Sequence, residues 1–156
     1  IKPDTKLIIT GSSFFEGATK TPYETDLLDL AAPIKDNILF TGYIPHDKLK
    51  FLYSAVDLVC IPSIWQDPCP LVVLESMSSG TCPIATSVGG IPEIMEDRVT
   101  GRLVSENNVE LLAEAIIECL NSPEERLIMA KNARDKIMSA YTWRHLTSKL
   151  ETLLCD

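Results

Sequence analysis

The sequence predicts an α/β fold: a parallel sheet with helices on both faces, closed by a helical C-terminal tail. Three observations predict it. Short apolar runs alternate with segments of helical periodicity through the first two-thirds of the chain. The runs have the length of strands, and the segments between them are long enough for crossover helices. The last third keeps helical periodicity alone.

The elements follow in order. Strands are expected at 6–10 (KLIIT), 38–41 (ILFT), 57–61 (DLVCI), 82–85 (CPIA) and 102–104 (RLV). Helices are expected at about 23–32, 46–55 and 70–79. The tail begins at 109–120 (VELLAEAIIECL), whose apolar residues share one helix face after an Asn107-Asn108 start. Ser122-Pro123-Glu124-Glu125 then offers an N-cap, a proline at the first helical position and two acids in the first turn. That helix should run to about 139. A last one from about 142 carries Trp143, Leu146, Leu150, Leu153 and Leu154 at three-to-four spacing. No repeat, low-complexity stretch or linker interrupts the chain, so residues 1–156 read as one domain.

Composition narrows the functional classes. The 156 residues are 46% hydrophobic and 23% charged, ordinary for a globular protein. A net charge of −8 with no basic stripe argues against nucleic acid as a partner. No apolar run approaches the ~20 residues of a membrane span, and the first residues do not read as a signal peptide. The five cysteines, Cys60, Cys69, Cys82, Cys119 and Cys155, are widely spaced and include no C-x-x-C. They suggest neither a zinc site nor a disulfide framework, and fit a reducing cytoplasm. Cys60 and Cys82 lie in strand-like runs and are expected to be buried.

In open α/β sheets, ligands bind beyond the carboxyl ends of the strands. That directs attention to Gly11-Ser12-Ser13, 43–46, 62–70 and 86–92. The richest of these precedes a helix expected to open at Pro70, where the missing N–H of proline is harmless. The free amides and positive dipole end of a helix N-terminus make a seat for phosphate. There is no Lys or Arg between Lys50 and Arg98, so phosphate held there would rest on backbone amides. Asp67 precedes the helix and Glu75 lies about one and a half turns inside it, roughly 7–8 Å along the axis from Pro70. Carboxylates accept hydrogen bonds from sugar hydroxyls, so two acids flanking a phosphate seat suit a nucleoside-diphosphate sugar. By spacing alone, two solvated acids would be the plainer reading.

The stretch from Pro62 to Ile94 resembles the signature of glycosyltransferase family 4, retaining enzymes of the two-domain GT-B fold. The family pattern joins Pro-Ser, an acid and a Glu eight positions later to a Gly-Gly-x-x-Glu segment. Here these read Pro62-Ser63, Asp67, Glu75 and Gly89-Gly90-Ile91-Pro92-Glu93. The lead-in FTGYIPHDKLKFLYSAVDLVCIPS, the later VTGRLV and the final Tyr141-Thr142-Trp143 are similar in the same order. The resemblance implies one Rossmann-like half of a GT-B enzyme, the half that binds a nucleotide sugar, most often a uridine one. It implies Glu75 on the ribose and Asp67 on the donor sugar, with backbone amides around Cys69, Leu71 and Val72 near the diphosphate. It further places Tyr43, Ile44 and Pro45 near the base, Gly11 and Ser12 near phosphate, and Gly89 and Gly90 close to the ligand. Asp67 stands where the family usually has Glu, and Pro70 replaces a common Gly, removing one amide donor. The family's Arg and Lys on the first strand–loop–helix of this domain have no counterpart in these residues. That unit and the N-terminal acceptor domain are therefore expected outside this sequence.

The implied reaction transfers a sugar to a hydroxyl acceptor with anomeric retention. It needs no protein nucleophile, metal or cofactor, and the full-length enzyme could associate with a membrane. Other readings stay open: a sugar-nucleotide epimerase of the same fold, or a non-catalytic nucleotide-sugar-binding or regulatory domain. His46 reads as a helix-start residue rather than a base, and Glu93 as a dipole partner for a short helix. Cys69 has no His or Lys near it in sequence, which argues against a nucleophile. Trp65 could pack as a lid or stack on a sugar.

Overall fold

The computed structural model describes residues 4–11 and 21–155, in two compact units, 1–49 and 50–156. In the first, β1 (Leu7–Thr10) pairs in parallel with β2 (Ile38–Gly42), from Leu7 opposite Ile38 to Ile9 opposite Phe40. Between them lies α1 (Pro22–Ala31), opened by a reciprocal cap. The Glu24 N–H donates to the Thr21 hydroxyl at 3.2 Å, and the Thr21 N–H donates to the Glu24 carboxylate at 2.7 Å. The chain tightens into a 3-10 turn at Ala32–Asn37, where Pro33 lacks the N–H that would extend the α-helical ladder. Helix α2 (His46–Ala55) then leads from the first unit into the second.

The second unit holds β3 (Leu58–Ile61), α3 (Leu71–Ser79), β4 (Cys82–Thr86), α4 (Ile91–Ile94), β5 (Arg102–Val104), α5 (Val109–Asn121), α6 (Pro123–Ala140) and α7 (Trp143–Cys155). Its three strands are parallel in the order β3-β4-β5. The central strand β4 is buried along its whole length, as expected for a parallel strand covered on both faces. Strand side chains alternate between faces, and the two cores follow that period. Ile61 and Ala85 pack with Val73 and Met77 of α3, Ile91 and Ile94 of α4, and Ala133 and Ile137 of α6. Cys82, Ile84 and Val104 pack with Ala115 and Cys119 of α5 and Met129 and Ala130 of α6. The doubly covered parallel sheet and the helical tail are as the sequence predicts.

Several details differ from expectation. Cys60 is exposed, whereas Cys82 is buried. Strand β3 forms one edge of the three-stranded sheet, and the helices on the Cys82 face pack on β4 and β5, leaving Cys60 uncovered. As the sequence predicts, Asn108 caps α5, its side chain accepting the Leu111 N–H at 2.9 Å. Ser122 holds the N-cap position of α6 without a side-chain bond. Its backbone is still closing α5, its N–H donating to the Glu118 carbonyl. The apolar stripe of α7 forms on the helix but stays exposed, with Trp143 at 82% and Leu153 and Leu154 at 76%. No described helix is long and apolar enough to cross a membrane.

Candidate functional site

The loop from Pro62 to Pro70 leaves the carboxyl end of β3 and is held at three places. At its start, the Thr86 hydroxyl at the end of β4 donates to the Ser63 carbonyl at 2.5 Å. The Ser63 hydroxyl accepts the Trp65 N–H at 3.2 Å, and the Asp67 N–H donates to the Trp65 carbonyl at 2.9 Å. Around Asp67 the loop closes on the turn between β4 and α4. The Gly90 N–H donates to the Asp67 carbonyl at 2.8 Å, and the Gly89 N–H to the Gln66 side-chain oxygen at 2.9 Å. Both glycines are required here. Gly89 has a φ of +53°, and a Cβ at either position would drive into the backbone of Asp67 or Pro68.

Asp67 is half-buried, and its Oδ1 accepts the Cys69 N–H at 2.9 Å. This local turn is typical of Asp. It fixes the carboxylate immediately before α3, and it occupies the Cys69 amide expected to face the diphosphate. Helix α3 then starts without a capping side chain: Pro70 is the N-cap, and the Val73 N–H donates to the Pro70 carbonyl at 3.1 Å. The N–H groups of Leu71 and Val72 have no hydrogen-bond partner among the described residues. Their side chains are exposed, at 65% and 44%, while Val73 and Met77 turn into the core. Two free amides at the positive end of a helix dipole have the chemistry to receive an anion.

Glu75 lies one turn further along α3 and is half-buried. The Tyr53 hydroxyl, reaching from α2, donates to Glu75 Oε2 at 2.9 Å. Burial and the Glu75 carboxylate together raise the Tyr53 pKa well above its ordinary value, so the phenol stays a donor. The Tyr53 carbonyl accepts the Thr81 hydroxyl at 2.5 Å, tying α2 to the start of β4.

Asp67, Cys69 and Gly90 are thus joined by direct bonds and Gly89 is tied to the same loop through Gln66, with Leu71, Val72 and Glu75 following on α3. Sequence reasoning missed Tyr53, Gln66 and Thr86. Nothing local marks Tyr53, whose bond to Glu75 spans 22 residues. Gly11, Tyr43, Ile44 and Pro45 belong to the N-terminal unit. There the Gly11 N–H donates to the Gly42 carbonyl at 2.9 Å, so Gly11 and Tyr43 lie just past the carboxyl ends of paired strands. Tyr43 is 64% exposed. Ser12 lies outside the described residues. His46 is the first residue of α2, and Trp65 is 77% exposed. Among the described residues, no group of three His, Cys, Asp or Glu side chains could hold a metal ion.

A separate cleft of about 280 Å³ is lined by Arg98, Arg102, Glu118, Cys119, Ser122 and Glu125 among others. Its two arginines are already paired. Arg102 pairs with Asp97 at 3.1 Å and with Glu118, and Arg98 pairs with Glu118 at 2.6 Å. That cleft is an ion-pair cluster, and the free amides lie at α3.

Residues 1–136 match the family described as Glycosyl transferases group 1. The chain belongs to this family. YtcC of Bacillus subtilis (strain 168) is 34% identical over 152 residues, covering 97% of the chain and 37% of YtcC. The sulfoquinovosyl transferase SQD2 of Arabidopsis thaliana is 35% identical over 132 residues, 83% of the chain and 25% of SQD2. Sucrose-phosphate synthase from Thermosynechococcus elongatus superposes with a TM-score of 0.85 at 28% identity, over 98% of the chain and 38% of the synthase. Anabaena HepE in complex with UDP-glucose shares the fold, with a TM-score of 0.86 at 22% identity, over 98% of the chain and 41% of HepE. This group 1 glycosyltransferase chain therefore spans about a quarter to two-fifths of the length of these relatives.

Proposed function

We propose that this group 1 chain is the donor-binding half of a retaining glycosyltransferase that takes its sugar from a nucleoside-diphosphate sugar, with a uridine donor as the first choice. The observation that carries the reading is the start of α3. Two partnerless amides sit between a carboxylate fixed before the helix, Asp67, and one fixed inside it, Glu75. The amides would take the diphosphate, Glu75 the ribose hydroxyls and Asp67 the hydroxyls of the donor sugar. HepE, crystallised with UDP-glucose, lends the same fold to this reading.

Catalysis in this reading rests on positioning and on stabilising the departing diphosphate. The leaving phosphate helps take the acceptor proton, so Cys69, exposed and beside Asp67, has no nucleophilic part. The acceptor would be a hydroxyl bound by an N-terminal domain of the full-length protein. The same domain would supply the catalytic partner surface, and the first strand–loop–helix of this half would supply cations for the diphosphate. We place the protein in the cytoplasm, a setting consistent with the free thiols of Cys60, Cys69, Cys82 and Cys119.

The test is product analysis with the full-length protein and a panel of nucleotide sugars. Free nucleoside diphosphate plus a new glycoside of retained configuration is expected. Conversion of the donor to its sugar epimer would assign the fold to an epimerase, and tight donor binding with no turnover would make it a regulatory module.

A further inference from the structure

We propose that Tyr53 is a positioning residue for the nucleotide-holding carboxylate of Glu75, an inference that rests on the assignment of Glu75 to the ribose. A glutamate has three side-chain torsions, and on an open helix face it samples many rotamers. Glu75 sits on α3, half-buried, and its Oε2 receives the Tyr53 hydroxyl at 2.9 Å. Tyrosine is suited to this work because its ring has only two torsions and its hydroxyl is a strong donor to a carboxylate.

Tyr53 is itself fixed from the other side. Its backbone carbonyl receives the Thr81 hydroxyl, which anchors the end of α2 at the junction of α3 and β4. Tyr53 therefore couples the angle of the carboxylate to the junction of these elements. A carboxylate has about four acceptor positions. The phenol takes one of these positions, so it can hold the rotamer without itself filling the carboxylate. The cost of ordering Glu75 is then met before the nucleotide arrives, which is preorganisation in the usual sense.

The decisive experiment is a double-mutant cycle in the full-length protein, read as the dissociation constant of UDP and as KM and kcat for the donor. Tyr53→Phe removes one hydroxyl and keeps the ring. It should weaken UDP binding by roughly fivefold, the scale of one such hydrogen bond, and raise donor KM with little change in kcat. In a Glu75→Gln background, Tyr53→Phe should have far less effect, because the charged acceptor is gone. Glu118→Gln, in the separate ion-pair cluster, is the structural control: it should lower the melting temperature and leave UDP affinity unchanged. If Glu75→Gln weakens UDP binding and Tyr53→Phe does not, the positioning role is wrong and the ribose assignment stands. Equal losses from Tyr53→Phe in both backgrounds would also overturn it, since Tyr53 would then act by another route. If Glu75→Gln leaves UDP affinity unchanged, the ribose assignment fails and takes this inference with it.

Discussion

Asp67 uses both its backbone and its side chain. Its carbonyl receives the Gly90 N–H, and its carboxylate receives the Cys69 N–H, so the acid and the turn around it are fixed together. Glu75 is held differently, by a phenol from another helix. These separate supports let the roles of the two acids be tested apart. In the full-length protein, Glu75→Gln should weaken binding of bare UDP as much as binding of the intact donor, because the ribose is common to both. Asp67→Asn should leave UDP affinity within about threefold while kcat/KM falls, since bare UDP has no donor sugar. Titration calorimetry on the two variants reads this, and the opposite pattern would exchange the roles. Gly90 gives a second prediction at this scale. A methyl group there meets the Pro68 backbone, which has no flexible end to move aside. Gly90→Ala should destabilise the chain by about 1–3 kcal/mol, the usual range for overpacking. Thermal or denaturant unfolding measures it, and a loss below a few tenths would mean the loop yields freely.

At the scale of elements, local chemistry was legible and long-range contact was not. The Asn108 cap, the proline opening of α6 and the run of β4 follow from short stretches of sequence. Asn108→Ala should therefore cost about 1 kcal/mol, the common value for a lost N-cap, measured as a shift in the unfolding midpoint. The Asp67-to-Glu75 spacing was equally visible, because both acids flank one helix start. The exposure of Cys60 was not, because an apolar run does not say whether its strand is central or at an edge. The Tyr53–Glu75 bond and the docking of Gly90 on Asp67 join residues more than 20 positions apart, and no periodicity reports them.

The ion-pair cluster joining β5 to α5 yields a pH dependence. Hydrogen bonds from Arg98 and then Arg102 hold the Glu118 carboxyl below its ordinary value in the folded chain. Its contribution is therefore complete above the ordinary glutamate range and is lost as pH falls through the lowered folded value. Melting temperatures taken from pH 7 down to 3 should drop less steeply for Glu118→Gln than for the unaltered chain. Parallel curves would show that the cluster adds nothing to acid stability.

For the whole molecule, the proposed function depends on how much of a nucleotide-sugar donor these 156 residues can hold. The α3 terminus carries only about half an elementary charge, and no Lys or Arg lies between Lys50 and Arg98. The sequence alone showed this shortage of cations, and the structure adds where the free amides are. Binding by this chain should therefore be weak, with a dissociation constant nearer millimolar than micromolar, a gap of about 4 kcal/mol. The measurement that tests the central claim most directly is chemical-shift mapping of the 156-residue chain titrated with UDP. The amides of Leu71 and Val72 should shift most, with smaller changes at Glu75 and Gly89-Gly90, saturating in the millimolar range. Shifts centred on the Arg98–Arg102–Glu118 cleft, with 67–75 unmoved, would contradict the account.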